Sequence, residues 1–332
     1  MVQEKKLVEE VSGWLRLYDD GSVDRTWTGP SEVKFMVESV PPHEEFINGV
    51  VTRDVIMSDK LRVRLYLPEI ISNEEKLPIF LHFHGGGFCI SEPDWFMYYQ
   101  FYTRLAQLAR VIVVSPFLRR APENRLPAAI DDGFSALIWL QSVVKRNAEE
   151  PWLEKYGDFN RVFLIGDSSG ANIVHEVATR AGRTRLDPLR LIGGIPIHPG
   201  FSRPKRSRSE LEKPESPFLT LDMVDKFMNL ALPLGSNKDH PISCPMGDSA
   251  PPLSGLKLPP FLLCLAEMDL IFDTEMEYYE AMRKANKEVE LFVSKGVTHS
   301  FYLNKIAVDM DPNTGAQRDA LIARIKEFIE QH

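Results

Sequence analysis

Residues 161–175 read RVFLIGDSSGANIVH, an apolar run that stops at the pentapeptide GDSSG and then continues with helical periodicity. The run indicates a buried strand and the continuation indicates a helix, so the pentapeptide forms a sharp strand-to-helix turn. Gly166 and Gly170 stand two positions before and two positions after Ser168, where glycines allow strand and helix to approach closely. Such a turn presents Ser168 as a nucleophile, although the pentapeptide alone also fits an ordinary tight turn.

From residue 50 onward, short apolar runs alternate with stretches of helical periodicity, which is typical of an α/β fold with a mostly parallel central sheet flanked by helices. The predicted strands lie near 61–68, 78–84, 111–115, 161–165, 191–197, 259–266 and 289–293. The predicted helices lie near 94–109, 127–147, 170–181, 273–287 and 315–331. Residues 1–45 and 201–257 lack this alternation. We therefore expect a single domain over 1–332, in which 1–45 and 201–257 are lid elements beyond the carboxyl ends of the strands.

The composition is that of an ordinary globular domain, with 44% hydrophobic and 26% charged residues among 332. The 39 Lys and Arg against 47 Asp and Glu give a net charge of −8, which argues against a nucleic-acid partner or an anionic membrane surface. The basic segment RPKRSRS at 203–209 is accordingly interpreted as a solvated lid loop.

Cysteine and histidine usage favours neither a disulfide framework nor a metal site. Cys89, Cys244 and Cys264 form no CxxC pair, which fits a reducing compartment. His82 and His84 share a predicted strand face, as a metal pair would, but no further ligand is placed near them. The amino terminus lacks the apolar region of a signal peptide, and every apolar run is shorter than the ~18 residues of a membrane span. We expect a cytoplasmic protein with no membrane partner and no metal.

A second glycine motif, HGGGF, begins at His84 directly after a predicted strand and includes Gly87. Acyl transfer passes through a tetrahedral oxyanion, which is stabilised by backbone N–H donors already in place. Consecutive glycines let the main chain approach the reacting carbonyl, so Gly85 and Gly86 are the predicted donors, with the amide of Ser169 as the third. A flexible glycine turn is the alternative when the motif is taken alone.

A serine hydroxyl is a weak nucleophile near neutral pH and requires a general base that is itself oriented by a carboxylate. In this type of fold the chain order is serine, acid, histidine. The histidines that follow Ser168 are His175, His198, His240, His299 and His332. His299 follows the last predicted strand in KGVTHSF, where a base can be delivered over the sheet, and it is the predicted base. His175 lies on the helix after Ser168 and is expected to be a packing or surface residue.

The segment EMDLIFD, after the predicted strand 259–266, supplies the carboxylates of Glu267, Asp269 and Asp273. We predict that Asp269 orients His299. Asp273 is expected to cap the following helix, since aspartate is favoured at a helix start. Glu267 is expected to take part in the pairing of the strand.

The motifs HGGGF, GDSSGAN, EMDLIFD and GVTHSF, in this order and at these separations, resemble those of the hormone-sensitive-lipase branch of the α/β-hydrolases. The chain more closely resembles plant carboxylesterases, including the subgroup linked to the hypersensitive response, and the similarity covers nearly its whole length. The resemblance implies an α/β-hydrolase fold with a helical lid built from the amino terminus and an insertion after strand six. It also implies Ser168 as nucleophile, His299 as base, Asp269 as acid, the Gly85 and Gly86 amides as oxyanion hole, and no metal or organic cofactor.

Two positions depart from the family pattern. Ala171 stands where the family usually has a second glycine after the serine turn, and a helix is expected to tolerate it. The family segment YRLAPE reads FLRRAPE here, and its extra arginine, Arg119, is expected to change the polarity of the substrate pocket.

Three related functions bear on the prediction. Gibberellin receptors resemble this chain but lack the catalytic histidine, whereas His299 is present here. Isoflavanone dehydratases of the family typically carry threonine at the nucleophile, where this chain has Ser168. Alkaloid-pathway relatives hydrolyse a methyl ester whose acid then loses carbon dioxide, and they use the same triad. We predict a serine carboxylesterase for small hydrophobic esters, active as a monomer or homodimer, with the methyl esterase and the hormone binder as alternatives.

Overall fold

The strands form a small amino-terminal sheet and a large central sheet within the described residues, which are 5–58, 61–72 and 74–332 of a computed structural model. The small sheet is an antiparallel meander of β1 (Leu7–Val11), β2 (Leu15–Tyr18) and β3 (Val23–Asp24). The large sheet contains β4 (Val50–Ser58), β5 (Leu61–Pro68), β6 (Leu77–Phe83), β7 (Ile112–Pro116), β8 (Gly157–Asp167), β9 (Leu191–Ile197), β10 (Phe261–Ala266) and β11 (Val289–Ser294).

The large sheet has the strand order β11-β10-β9-β8-β6-β7-β5-β4. Antiparallel pairing is confined to the end that contains β4 and β5, and all other neighbours in the sheet are parallel. The predicted α/β fold with a mostly parallel sheet is confirmed. All seven predicted strands are present, with bounds shifted by a few residues at some ends.

Helices cover both faces of the large sheet. They are α1 (Phe96–Ala109), α2 (Ala128–Val144), α3 (Pro151–Tyr156), α4 (Ser169–Ala181), α5 (Arg208–Glu212), α6 (Leu221–Ala231), α7 (Phe272–Lys284), α8 (Lys305–Met310) and α9 (Pro312–Gln331), with short 3-10 turns at Ser31–Val37, Leu253–Gly255 and Phe301–Leu303. Side chains alternate along β6, so Ile79 and Leu81 pack in the apolar cluster of α2 and α4, whereas Phe80 packs in the cluster of α1 and α9. In the part of the chain that the structure describes, no helix has the length and hydrophobicity to cross a membrane.

Sequence periodicity missed the edge strand β4 and the amino-terminal meander. The edge strand reads VVTRDVIMS, and its second half is partly or fully exposed, so charged and apolar residues mix in it. The meander strands are short and mostly polar, and they bury little more than Val11, Trp14 and Leu15. Short, half-exposed strands have a weak hydrophobic period, which is why neither region indicated a strand.

The two regions predicted as lid elements meet in the fold. The insertion follows β9, the sixth strand of the large sheet along the chain, and contains α5 and α6. Lys226 of α6 donates to the main-chain carbonyl of Glu10 in β1 at 2.8 Å. The ring centroids of Trp14 and Phe218, one from each region, lie 6.5 Å apart, so the contact is hydrophobic as well as polar. Residues 1–4 of the predicted lid lie outside the described residues.

The basic segment 203–209 is neutralised locally. Arg203 pairs with Glu277, and Arg206 pairs with Asp225. Paired arginines produce a weaker field than free ones, which argues against a polyanion-binding patch. The predicted loop ends at Ser207, because Arg208 begins α5 and Ser209 is buried.

Candidate active site

Ser168 occupies a strained turn between β8 and α4. Its backbone has φ 51° and ψ −124°, a left-handed conformation that is uncommon for residues other than glycine. Gly170 lies so close to β6 that a Cβ atom there would overlap the carbonyl oxygen of Phe83. A Cβ on Gly166 would lie 2.5 Å from the Gly170 carbonyl oxygen. Both glycines are therefore required for the close approach that the sequence predicted, and the turn raises the serine side chain above the sheet.

We expect Gly170→Ala to destabilise the protein by about 3 kcal/mol or more, because the new methyl group meets backbone rather than a movable side chain. The matched control is Gly255→Ala, where a Cβ would meet nothing within 4 Å. The control should change the free energy of unfolding by no more than about 0.5 kcal/mol. Urea unfolding followed by tryptophan fluorescence measures both variants, and equal stability of the two would contradict this reading of the turn.

The structure brings Ser168, His299 and Asp269 together from three separate loops. Each loop follows the carboxyl end of a parallel strand, namely β8, β10 and β11, and these ends meet at one edge of the sheet. His299 Nε2 lies 2.9 Å from Ser168 Oγ, and His299 Nδ1 lies 2.6 Å from Asp269 Oδ2. Asp269 is 0% and His299 2% exposed, so water does not compete for the bond between them. The arrangement can transfer a proton from the serine hydroxyl to the imidazole.

Asp269 remains ionised although it is buried. Burial alone would raise its pKa, but the interaction with His299 and the hydrogen bond from the amide of Ile271 lower the pKa below its usual value. The Ile271 amide donates to Asp269 Oδ1 at 3.1 Å, while Oδ2 accepts from the imidazole. A carboxylate held at both oxygens fixes the orientation and tautomer of His299.

The other two carboxylates of EMDLIFD have different partners. Glu267 accepts from the Gly296 amide at 2.9 Å, and its own amide continues the pairing with β11. The expectation that Asp273 caps α7 is wrong, because its carboxylate accepts from the Ser209 amide at 2.8 Å. Ser209 Oγ in turn accepts from the Asp273 amide at 3.1 Å, so α7 receives this hydrogen bond from the insertion rather than from its own aspartate.

The HGGGF loop places two of its amides at the cavity beside Ser168. The prediction that Gly85 is a free donor is wrong, because its amide donates to the hydroxyl of Tyr98 at 3.0 Å. Gly86 and Gly87 line the cavity with φ values of +97° and +58°, and Ser169 lines it as well. Within the described residues, the amides of these three make no hydrogen bond. Three residues whose amides are unpaired therefore line the same cavity as Ser168.

The two histidines of the LHFHGGG segment serve separate hydrogen bonds and do not converge on a shared site. His84 Nδ1 lies 3.0 Å from the Gly85 carbonyl, and burial lowers its pKa to about 3. His82 Nδ1 lies 2.6 Å from Ser115 Oγ. His175 is buried as predicted for a packing residue, with Nδ1 2.9 Å from the Tyr278 hydroxyl.

A small apolar cavity of about 60 Å³ lies next to Ser168. Its walls combine the amino-terminal meander, the HGGGF loop and the insertion, and they include Trp14, Ile90, Phe218, Met223, Val224 and Phe227. The expectation that Arg119 changes the polarity of this pocket is wrong. Its guanidinium pairs with Asp132 at 2.7 Å, outside the cavity wall.

The sequence matches a family model described as the alpha/beta hydrolase fold over residues 80–303. The chain belongs to the α/β-hydrolase family. Probable carboxylesterase 6 of Arabidopsis thaliana is 36% identical over 304 residues, which cover 90% of this chain and 85% of that protein. A gibberellin receptor of Arabidopsis thaliana is 36% identical over 285 residues, which cover 81% of this chain and 80% of the receptor. These relatives confirm the predicted plant carboxylesterase branch.

Solved structures share the architecture of this α/β-hydrolase at lower sequence identity. The esterase of the archaeon Pyrobaculum calidifontis superimposes with a TM-score of 0.69 at 24% identity, over 90% of this chain and 88% of that one. At this identity the likeness concerns the fold. The arrangement of strands and helices is therefore shared well beyond plant proteins.

Sequence reasoning assigned no role to His198, which lies beside the reacting groups of this α/β-hydrolase. Its ring centroid is 5.7 Å from that of His299, and its Nδ1 accepts from the Ser300 amide at 2.9 Å. Burial lowers its pKa to about 3, so the imidazole is neutral. His198, Asp269 and His299 offer ligand atoms within 4.8 Å of one another, and two of these residues are already joined by the contact of His299 Nδ1 with Asp269 Oδ2.

Glu275 is a second neighbour that sequence periodicity could not reveal. It is fully buried on α7, and neither carboxylate oxygen has a hydrogen-bond partner in the described part of the chain. Burial and the negative charge of Asp269 raise its pKa well above the usual range. Burial and this charge favour the neutral form of Glu275, whereas His299 favours the ionised form of Asp269.

Proposed function

We propose that this chain is a serine carboxylesterase that hydrolyses small hydrophobic carboxylic esters through an acyl-enzyme intermediate. The observation that carries the proposal is the continuous path from Ser168 Oγ to His299 Nε2 at 2.9 Å and from His299 Nδ1 to Asp269 Oδ2 at 2.6 Å. The carboxylesterase relative supports the same reaction class. Fold alone would not, since related folds host unrelated functions.

In the first half of the reaction, Ser168 Oγ attacks the carbonyl carbon of the ester while His299 Nε2 takes the hydroxyl proton. Asp269 stabilises the imidazolium that forms. The tetrahedral intermediate collapses, the C–O bond to the alcohol breaks, and the imidazolium gives its proton to the departing alkoxide. Ser168 then carries the acyl group as an ester.

The negative oxygen of the intermediate is held by backbone N–H groups. Gly86, Gly87 and Ser169 are the donors we propose, in place of the predicted Gly85, whose amide is engaged by Tyr98. The N-terminus of α4 adds its positive end to the same site. Loss of one donor of this kind costs about 2.7–4 kcal/mol of transition-state stabilisation.

In the second half, water enters and loses a proton to His299 Nε2 as it attacks the acyl carbon. The new intermediate collapses, Ser168 recovers the proton, and the carboxylic acid leaves. The cavity beside Ser168 has a volume of about 60 Å³. That space and its apolar walls favour a short, uncharged acyl or alkyl group.

Two alternative functions predict different experimental results. A gibberellin receptor is among the relatives, but a role limited to binding leaves the hydrogen-bonded Ser168–His299 pair without a purpose. A methyl esterase whose product then loses carbon dioxide would use the same residues as a simple esterase. A simple esterase releases the intact acid, whereas the methyl esterase also leads to release of carbon dioxide.

A panel of chromogenic short-acyl esters and methyl-ester metabolites, with product mass measured, tests the proposal. We expect turnover of uncharged esters, with the intact acid as product and activity falling as the acyl chain lengthens. Release of carbon dioxide would identify the methyl esterase. Binding of hormone-like acids without hydrolysis of any ester would contradict the proposed function.

We further propose that the protein acts in the cytoplasm as a monomer or homodimer, without a nucleic-acid or membrane partner. The net charge of −8 and the paired arginines of the insertion support the absence of polyanionic partners. Light scattering after gel filtration reports the oligomeric state, and a fluorescent fusion reports the compartment.

A further inference from the structure

The loop that carries the proposed oxyanion donors contains three consecutive glycines, Gly85 to Gly87. Glycine has the widest choice of backbone conformation, so such a loop does not fix its own amides. Catalysis by preorganised donors requires that they be held before the substrate arrives. Contacts within the loop, such as that of His84 Nδ1 with the Gly85 carbonyl at 3.0 Å, supply only part of this restraint.

Hydrogen bonds of backbone amides restrain the carboxyl-terminal end of the loop. The amides of Cys89 and Ile90 donate to the Gly86 carbonyl at 3.0 Å each, and the Phe88 amide donates to Ser169 Oγ at 3.1 Å. None of these contacts restrains the backbone N–H of Gly85. That N–H group is held by a side chain from a helix.

Tyr98, on α1, supplies this contact. Its hydroxyl oxygen accepts the Gly85 amide at 3.0 Å, and the hydroxyl proton is donated to Asp167 Oδ2 at 3.2 Å. A hydroxyl has one proton, so its donation to Asp167 leaves the oxygen lone pairs for Gly85. Tyr98 and Asp167 are each 1% exposed and lie at the wall of the cavity beside Ser168.

Asp167, which accepts the hydrogen bond of the Tyr98 hydroxyl, lies between the serine turn and the glycine loop. It directly precedes Ser168, and its Oδ1 lies 3.6 Å from Nε2 of His82, whose Nδ1 is 2.6 Å from Ser115 Oγ. A Cβ atom on Gly85 would lie 2.5 Å from Asp167 Oδ2, so loop and carboxylate are in direct contact. One residue thus links the turn that holds the nucleophile to the loop that holds the amides.

We propose that Tyr98 and Asp167 are positioning residues, which fix the Gly85 peptide and thereby aim the Gly86 amide at the developing oxyanion. This inference rests on the proposed esterase function and extends it to two residues that take no part in bond making. Neither side chain takes part in proton transfer. Their effect is confined to the geometry of a donor, and misplacement of such a group lowers the rate without abolishing it.

The test compares Tyr98→Phe with Tyr102→Phe. Tyr102 lies one turn further along α1, is equally buried, and has a hydroxyl without a hydrogen-bond partner among the described residues. We expect Tyr98→Phe to lower kcat and kcat/KM for a short-acyl chromogenic ester by about tenfold with KM unchanged, since only the transition state is affected. Tyr102→Phe should stay within about twofold of the wild type.

Two further readouts separate positioning from a structural role. Titration of competent sites with a fluorophosphonate normalises kcat, so partial misfolding of Tyr98→Phe does not enter the comparison. An alkyl boronic acid, which forms a tetrahedral oxyanion on the serine, should bind Tyr98→Phe about tenfold more weakly, whereas the carboxylic acid product should bind equally. Asp167→Asn, which keeps an oxygen acceptor for Tyr98, should lose less activity than Asp167→Leu.

The outcomes are distinguishable. An active wild type with unchanged kcat in Tyr98→Phe, or with a raised KM alone, would overturn the positioning role and leave the esterase intact. A wild type that neither hydrolyses esters nor reacts with the fluorophosphonate would overturn the esterase and the positioning role together.

Discussion

Ser168→Ala is expected to lower kcat for a short-acyl chromogenic ester by about 10⁶, because it removes the atom that forms the acyl-enzyme. Residual turnover would come only from binding and the oxyanion donors. His299→Ala should cost about as much, since residues that act as one unit are not additive. Stopped assays with purified protein measure the loss, and fluorophosphonate labelling should disappear in Ser168→Ala.

The matched control for this variant is Ser142→Ala. The hydroxyl of Ser142 donates to the Ile138 carbonyl within α2 at 3.0 Å and is remote from the cavity wall. Its removal should leave kcat within about twofold of the wild type. If Ser168→Ala retains more than about 1% of activity, the acyl-enzyme mechanism is wrong.

Asp269→Asn is expected to lower kcat by about 10⁴. An amide at this position can donate to His299 Nδ1, and it then stabilises the tautomer whose Nε2 carries a proton and cannot accept the one from Ser168. The substitution is nearly isosteric, so the loss reflects chemistry more than packing. The pre-steady-state rate of acylation measures the step directly.

Asp273→Asn is the matched comparison, because Asp273 lies four residues further along the same segment and bonds the Ser209 amide instead. We expect a change in kcat of no more than about threefold and a small loss of stability. A larger loss of kcat for Asp273→Asn than for Asp269→Asn would reverse the assignment of the acid.

Much of the fold follows from patterns in the sequence because the central strands are buried on both faces. Uninterrupted apolar runs such as VFLI in β8 have few other interpretations once helices flank them. The separations of Ser168, Asp269 and His299 also carry information, since each lies just after a predicted strand. The strand ends then meet at one edge of the sheet, as the parallel pairing requires.

What the sequence could not supply depends on partners that are distant along the chain. The direction of the Gly85 amide is set by Tyr98, and a backbone N–H has no signature in the sequence. The role of Asp273 was misjudged because Ser209, 64 residues away, takes the expected capping position. In the edge strand β4, exposure on one side removes the apolar run that would have indicated it.

Much of the cavity wall comes from segments that contribute none of the reacting side chains. Trp14 belongs to the amino-terminal meander, and Phe218 and Phe227 belong to the insertion, whereas Ser168, Asp269 and His299 follow strands of the sheet. After gene duplication, one copy can therefore exchange wall residues and acquire a new small-molecule preference while its reaction chemistry is preserved. This separation gives a physical basis for a lineage in which carboxylesterases and hormone receptors descend from one scaffold.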